Sequence, residues 1–168
     1  MAQRERKVTI GIAKASIIAA GYAAVTILIA PIAYGPIQVR ISDILMPIPF
    51  IPYFGWSGVI GLALGTFIAN LISPYGIWDV VLGTLANFLG GTGSYYARKI
   101  NNGIIGRLIA VIVPIIVVTI LIGYVLLNLI YEVPLFIAIG GVFIGELISV
   151  GFGGFLLITM LEKRLERQ

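Results

Sequence analysis

The sequence predicts an all-α integral membrane protein, a single membrane domain over residues 1–168 built as a bundle of six transmembrane helices. Hydrophobic residues make up 60% of the chain and charged residues only 11%, whereas soluble domains are about half apolar and a quarter charged. The mean hydropathy is +1.09. The few charged residues cluster near the two ends and in short patches, so they could not cover the surface of a soluble protein.

Six apolar runs account for the six predicted helices, since a spanning helix needs about 20 mostly apolar residues. The first run follows the basic residues Arg4, Arg6 and Lys7 and ends at Pro31. It is too long for a signal peptide, whose apolar region covers about 7–15 residues. The predicted helices are 8–30, 42–54, 56–72, 77–97, 107–131 and 135–161.

The second run is the least regular, because Pro47, Pro49 and Pro52 interrupt it. It could re-enter the membrane rather than cross it. If it crosses, ten of the eleven Lys and Arg residues lie on one side and only Arg40 lies on the other. Basic loop residues favour the cytoplasm. We therefore predict a multi-pass protein of the cell membrane, with six crossings and both termini cytoplasmic.

Turn-forming and charged residues separate the remaining runs. The third run ends before Pro74, and the fourth is followed by Arg98 and Lys99. The fifth begins at Arg107 and is ended by Glu132, and the sixth leads into a charged tail. These boundaries fit helices that end at a membrane surface. The net charge of +4 then reflects orientation in the membrane, and no nucleic acid partner is expected.

The first helix carries two adjacent rows of alanines at four-residue spacing. Helices in lipid associate through small residues, which let their backbones approach closely. Packing within the bundle would explain one such row, but two adjacent rows make a broad, smooth face. We therefore predict a docking surface for another membrane protein, formed by Ala15, Ala19, Ala20, Ala23 and Ala24.

Polar residues inside two of the predicted helices mark a candidate binding site. Helix four has a polar stripe that includes Asp79 and Asn87, and such a stripe must face protein or water rather than lipid. Glu146 lies about twelve residues into helix six, roughly 18 Å along its axis, which is near the membrane midplane. A carboxylate there costs on the order of 3 kcal/mol. It could serve as a structural hydrogen bond, but its cost favours a ligand or proton role.

The composition excludes several kinds of catalysis. The chain has no histidine and no cysteine, so it lacks the commonest general base and metal ligand and any thiolate. It also lacks the phosphate-binding motif G-x-x-x-x-G-K-[ST], so it cannot hydrolyse ATP in the usual way. We predict that the protein is not an enzyme and holds no metal or cofactor.

Residues 34–43, Y-G-P-I-Q-V-R-I-S-D, resemble the G-P-I-Q-x-R-x-S-[ED]-A-L signature of the QueT family. The chain departs from the family pattern at Asn87, where threonine is expected, and in the prolines of residues 46–49. The resemblance nevertheless extends over almost the whole chain, through residues 68–72, 78–87 and 145–148.

Membership of that family would imply a transport function. QueT proteins are substrate-binding (S) components of energy-coupling-factor (ECF) transporters assigned to queuosine precursors. Such components are six-helix bundles that bind a micronutrient from the outer side. They dock on a membrane coupling (T) subunit through small residues of helix one, and two ABC-type ATPases supply the energy. The resemblance thus accounts for both the alanine face and the missing phosphate loop.

The implied ligand is a 7-deazaguanine base, such as 7-aminomethyl-7-deazaguanine or queuine. Its pyrimidine edge offers an N–H and an NH₂ side by side, which a carboxylate can accept as a pair. Glu146 is the expected acid, and Asn87 or Gln38 the expected donor to the ring carbonyl. Arg40 and Asp43 could form an ion pair or contact the ligand. The remaining expected ligand-binding residues are Asp79, which could meet a cationic arm, and Trp78, which could be a stacking lid or an interface anchor.

Two other functions stay open. An S component for another small aromatic solute or vitamin would have the same architecture. A membrane channel or scaffold protein without transport function is an alternative of a different class. A channel would need a continuous polar path, whereas the inner halves of the predicted helices hold few polar groups.

Overall fold

The computed structural model describes residues 2–34 and 39–165 and confirms the all-α class, since the structure is 86% helical and the described residues contain no strand. Within these residues, three helices are long and apolar enough to cross a membrane, at Gln3–Leu28, Ile104–Ile130 and Leu135–Leu165. The α-helices in chain order are α1 (Ala2–Leu28), the short α2 (Ala30–Ala33), α3 (Gly55–Asn70), α4 (Gly76–Ile100), α5 (Ile104–Val118), α6 (Leu135–Glu146) and α7 (Phe155–Leu165).

Two of these helices continue directly into π-helical backbone. The first π-helical stretch, Thr119–Ile130, extends α5, and the second, Leu147–Gly154, joins α6 to α7. α5 with its extension and α6 through α7 therefore form two continuous helical rods. π-Helical backbone is rare and frequently lies at functional sites. The second stretch begins directly after Glu146.

The segment predicted as the second helix, 42–54, is not a continuous helix. It contains two 3₁₀ turns, Ile41–Leu45 and Ile48–Phe50, with Pro47 between them. Proline inside a helix removes a backbone hydrogen bond and clashes with the preceding turn. The prediction of one helix here was therefore wrong, and we call this part of the chain the 41–50 segment.

The 41–50 segment lies in the core of the bundle. Its Met46 and Phe50 side chains are fully buried. Glycines of the second π-helical stretch let the segment approach closely: a Cβ atom at Gly154 would lie 2.8 Å from Cγ of Pro47. A larger residue there would force the two backbones apart, so this stretch holds the 41–50 segment against α4 and α5.

The predicted docking surface on α1 is divided by the structure. Ala15, Ala19 and Ala23 are at most 7% exposed, and their row packs against α3 inside the bundle. The prediction that this row is a docking surface was therefore wrong, because the chain's own third helix occupies it. Ala20 and Ala24 are exposed on the neighbouring face of α1.

Candidate functional site

Four elements of the bundle bring polar side chains together in its interior. Tyr22 comes from α1, Asp43 from the 41–50 segment, Asn87 from α4 and Glu146 from the end of α6, and each is at most 3% exposed. Because the spans around them are almost wholly apolar, these groups have little but one another to bond. They form what we call the carboxyl cluster.

The two acids of the carboxyl cluster face each other. The carboxyl groups of Asp43 and Glu146 lie within hydrogen-bonding reach, and Asn87 lies within reach of Asp43. The Tyr22 hydroxyl donates a hydrogen bond to Asp43 Oδ1. The Asn87 amide also donates to the hydroxyl of Thr66 on α3. Asp43 is thus held from several sides, which gives this acid a defined position.

Glu146 is held less completely than Asp43. Its Oε2 atom is buried and has no hydrogen-bond partner among the described residues. The hydroxyl of Ser149, one turn further along, is likewise buried and without a partner. A buried polar group without a partner costs about 1–3 kcal/mol. The arrangement therefore offers a carboxyl oxygen and a hydroxyl that can bond a polar molecule entering the cluster.

A second buried group of polar residues surrounds an ion pair. Arg40 Nη2 lies 3.2 Å from Asp79 Oδ2, and these two residues are 4% and 0% exposed. The Ser73 hydroxyl donates to the same Asp79 oxygen at 2.5 Å. Asn70 Nδ2 donates to the backbone carbonyl of Asp79 at 2.8 Å. The Asp79 carboxylate is therefore fully engaged by residues of the chain.

This pairing corrects the expectation for Arg40. Its ion-pair partner is Asp79, 39 positions away, and not Asp43, which bonds Tyr22 instead. Burial alone would lower the pKa of Arg40, but the neighbouring Asp79 carboxylate raises that pKa above its ordinary value. The guanidinium thus stays charged, and Asp79 has no free oxygen for the cationic arm of a ligand.

Aromatic residues that sequence reasoning missed lie beside this ion pair. The Arg40 guanidinium lies 5.1 Å from the centre of the Tyr34 ring. The Tyr34 hydroxyl donates to the carbonyl of Ala69 at 2.9 Å, and burial raises its pKa. The rings of Tyr75 and Tyr131 are 5.2 Å apart, and the Tyr131 hydroxyl donates to the Tyr75 carbonyl at 2.5 Å. These bonds tie the end of α2 to α3, and the start of α4 to the end of the first π-helical stretch.

The remaining expected site residues do not join the clusters. Trp78 is 53% exposed, on the outside of α4, whereas its neighbour Asp79 is fully buried. An exposed tryptophan at a helix end is typical of an anchor at the membrane interface. Gln38 lies outside the described residues. No group of three or more possible metal ligands occurs in the described part of the chain.

Charged residues also meet at the opposite end of the bundle. Glu162 of α7 is 5% exposed and pairs with Arg98 of α4 and, at 2.7 Å, with Arg107 of α5. The Arg98 guanidinium lies 5.2 Å from the centre of the Phe50 ring. One carboxylate thus joins three helices, and the ring of Phe50 places the end of the 41–50 segment beside them.

Comparison with known proteins identifies the family of this chain. The family model described as QueT transporter matches residues 12–163, which is nearly the whole sequence and includes every described residue of both clusters. Neither a curated protein nor a solved structure matches the sequence. The matched region contains long apolar helices, as expected for a transporter component in a membrane. The chain therefore belongs to the QueT transporter family.

Proposed function

We propose that this protein is the substrate-binding S component of an ECF-type importer and that it binds a 7-deazaguanine base in the carboxyl cluster. The observation that carries this proposal is the buried Glu146 carboxyl group, with one oxygen that has no partner among the described residues. A QueT transporter is expected to carry a small molecule. Inside the bundle, this carboxyl oxygen can accept a hydrogen bond from such a molecule.

The chemistry of the carboxyl cluster suits the edge of a guanine-like ring. Glu146 can accept the adjacent N–H and NH₂ groups. Asn87 can donate to the ring carbonyl if its amide exchanges the contact with Asp43 or Thr66 for one with the ligand. Two carboxyl groups as close as those of Glu146 and Asp43 repel each other when both are ionised. Hydrogen bonds that a ligand donates to Glu146 favour its ionised form and so offset part of that repulsion.

Arg40 and Asp79 take a different role in this proposal. Because they engage each other, they form a rigid wall beside the carboxyl cluster and do not meet a cationic arm of the ligand. The aromatic rings of Tyr34 and Tyr75 extend this wall. Trp78 anchors α4 at the membrane interface, and Gln38 remains a proposed ligand contact on the grounds of the family motif alone.

A binding panel tests the assignment of the ligand. Isothermal titration of the purified protein measures its affinity for 7-aminomethyl-7-deazaguanine, queuine, guanine, tryptophan and riboflavin. The two deazaguanines are expected to bind more tightly than tryptophan or riboflavin. Tight binding of tryptophan or riboflavin, with no response to the deazaguanines, would favour an S component for another aromatic solute. No binding by any of the five would count against the transport proposal.

We propose six membrane crossings with both termini in the cytoplasm. The chain from Ser42 to Tyr53, which contains most of the 41–50 segment, runs along α1. Thr26 Oγ1 donates to Ser42 Oγ at 2.6 Å, and Lys14 Nζ donates to the Tyr53 carbonyl at 2.7 Å. Since Lys14 and Thr26 are twelve residues apart on a helix, this course covers about 18 Å. It supports a second crossing by the chain, even though the backbone there is not helical throughout.

Cysteine labelling tests this topology, because the chain has no native cysteine. A Glu132→Cys variant is expected to react with an impermeant maleimide from outside the cell, and an Asn102→Cys variant only after the membrane is opened. Both positions are exposed in the structure. The same response at both positions, or the reverse order, would overturn the proposed topology.

The proposed importer also contains a T subunit and two ABC-type ATPases, docked through the exposed alanines of α1. Ala20→Leu and Ala24→Leu should each remove co-purification of the T subunit, because a leucine prevents close approach of the helices. Ala63→Leu, a change of the same size on α3, is the control and should retain it. Retention of the T subunit by both α1 variants would exclude this docking surface.

A further inference from the structure

A cavity of about 390 Å³ lies between the first turns of α1 and the start of α3. Lys7 and Lys14 line it from the same side of α1, since they are two helical turns apart. Gly11, between them in the sequence, also lines the cavity and has no side chain to fill it. A second cavity, which shares Pro52 and Tyr53 with the first, is lined by Leu165 of α7. The cavity is therefore at the basic end of the bundle, where Lys163 and Arg164 of α7 are exposed.

The start of α3 adds hydrogen-bond donors to this cavity. Trp56 and Ser57 line it, and their backbone N–H groups belong to the first turn of a 16-residue helix. No hydrogen bond from either N–H is formed within the described part of the chain. The first turn of a helix carries a partial positive charge and readily binds phosphate. Two lysines and this turn therefore converge on one space.

The two lysines are available to bind an anion. Lys14 Nζ donates one hydrogen bond, to the Tyr53 carbonyl, and lies 3.4 Å from the centre of the Tyr53 ring. Its ammonium group has two further donors. Neither Lys7 nor Lys14 forms an ion pair with an acid of residues 2–34 or 39–165.

An apolar groove continues from this cavity along the membrane-facing surface. The groove has a volume of about 340 Å³ and shares Gly11, Trp56 and Ser57 with the cavity. Further along, Ile12 of α1 and Ile60 of α3 form its sides, and both are exposed. An inorganic anion would fill the cavity but leave this apolar groove empty. A molecule with a phosphate group and a long hydrocarbon chain would fill both parts.

We propose that this cavity and groove bind one anionic phospholipid, with its phosphate between Lys7, Lys14 and the first turn of α3, and one acyl chain in the groove between α1 and α3. The tyrosine and tryptophan rings at the cavity rim suit the level of the headgroups. The lipid would lie beside the α1 face that carries Ala20 and Ala24, since Ser16 in the groove precedes Ala20 by one turn.

Quenching of tryptophan fluorescence by brominated lipids tests this proposal. The chain has two tryptophans, so a Trp78→Phe variant leaves Trp56 in the cavity wall as the only reporter. This variant is reconstituted in phosphatidylcholine vesicles with a small fraction of brominated phosphatidylglycerol or brominated phosphatidylcholine. Each lysine near an anionic headgroup favours binding by about fivefold. Phosphatidylglycerol should therefore be preferred at Trp56 by at least about fivefold.

Removal of charges distinguishes a specific lipid site from a general attraction of anionic lipids to the basic end of the bundle. In the same background, Lys7→Gln and the double variant Lys7→Gln/Lys14→Gln should lose the preference in steps. Lys163→Gln/Arg164→Gln removes the same charge from α7 and should keep it. A preference that survives the α1 double variant, or that falls equally in the α7 control, would overturn the proposal.

A competition arm distinguishes a lipid from free phosphate. Inorganic phosphate at about 10 mM should lower the preference for phosphatidylglycerol no more than chloride of the same ionic strength does. If the site binds a lipid, both salts act only by screening its charges. A larger loss with phosphate than with chloride would assign the cavity to a soluble anion and overturn the lipid assignment. Thermal unfolding of each variant verifies that the compared proteins are folded.

Discussion

Replacement of Asp79 by asparagine should lower the stability of the protein strongly, because it removes the ion-pair partner of the buried Arg40 charge. The two residues are 0% and 4% exposed, with Arg40 Nη2 3.2 Å from Asp79 Oδ2. Removal of one partner from a buried ion pair costs about 3–5 kcal/mol. Asparagine has the same shape and still accepts the hydrogen bond from Ser73. The loss therefore reports the charge rather than a cavity.

The free energy of unfolding can be measured by titration with sodium dodecyl sulfate in mixed micelles, followed by circular dichroism. The double variant Asp79→Asn/Arg40→Gln has no unpaired charge, so it should regain much of the stability that the single variant loses. Glu132→Gln, an exposed acid without an ion pair among the described residues, is the control and should change stability by about 0.5 kcal/mol or less. A loss below about 1 kcal/mol for Asp79→Asn, or strictly additive losses in the double variant, would show that the Arg40–Asp79 pair does not stabilise the fold.

Two further predictions concern contacts between helices. Gly65→Ala would place a Cβ atom 2.8 Å from Cβ of Tyr22, so it should lower the free energy of unfolding by about 1–3 kcal/mol. Gly140→Ala, where the new atom meets nothing within 4 Å, is the matched control. Equal losses of unfolding free energy for the two variants in the dodecyl sulfate titration would contradict a close contact between α1 and α3. Glu162→Gln should destabilise the protein less than Asp79→Asn does. Its two arginine partners are 27% and 22% exposed and can turn to water. An equal or larger loss in the free energy of unfolding would be contrary to this prediction.

The features that the sequence predicts well depend on composition and on local patterns. Apolar runs of about 20 residues identify helices in lipid without any knowledge of their partners, so the all-α membrane class could be predicted. The prolines of the 41–50 segment showed that it is irregular. Its burial could not be predicted, because the glycines that accommodate it, Gly153 and Gly154, lie more than 100 positions away.

The site is harder to predict, because its contacts join distant positions. Asp43 is three residues from Arg40 and was an obvious ion-pair partner, but the structure pairs Arg40 with Asp79 instead. Tyr22 lies in an apolar helix among alanines, and nothing in the sequence distinguishes it from a tyrosine at the membrane interface. Only the fold shows that its hydroxyl bonds Asp43.

Affinity and stability measured together on Glu146→Gln test whether Glu146 binds the ligand. If Glu146 accepts the paired N–H donors of a deazaguanine, the variant presents an NH₂ group to one of those donors. A buried donor without a partner costs about 1–3 kcal/mol, and more when a charged partner is lost, and about 1.4 kcal/mol corresponds to one decade in affinity.

Calorimetric titration of folded Glu146→Gln with 7-aminomethyl-7-deazaguanine should give an affinity at least about tenfold weaker than that of the unmodified protein. Its thermal stability should be largely kept. Glu162→Gln, which removes a buried acid at the opposite end of the bundle, should bind as the unmodified protein does. Unchanged affinity in Glu146→Gln, together with a lowered unfolding temperature, would show a purely structural role for Glu146 and contradict the proposed binding site.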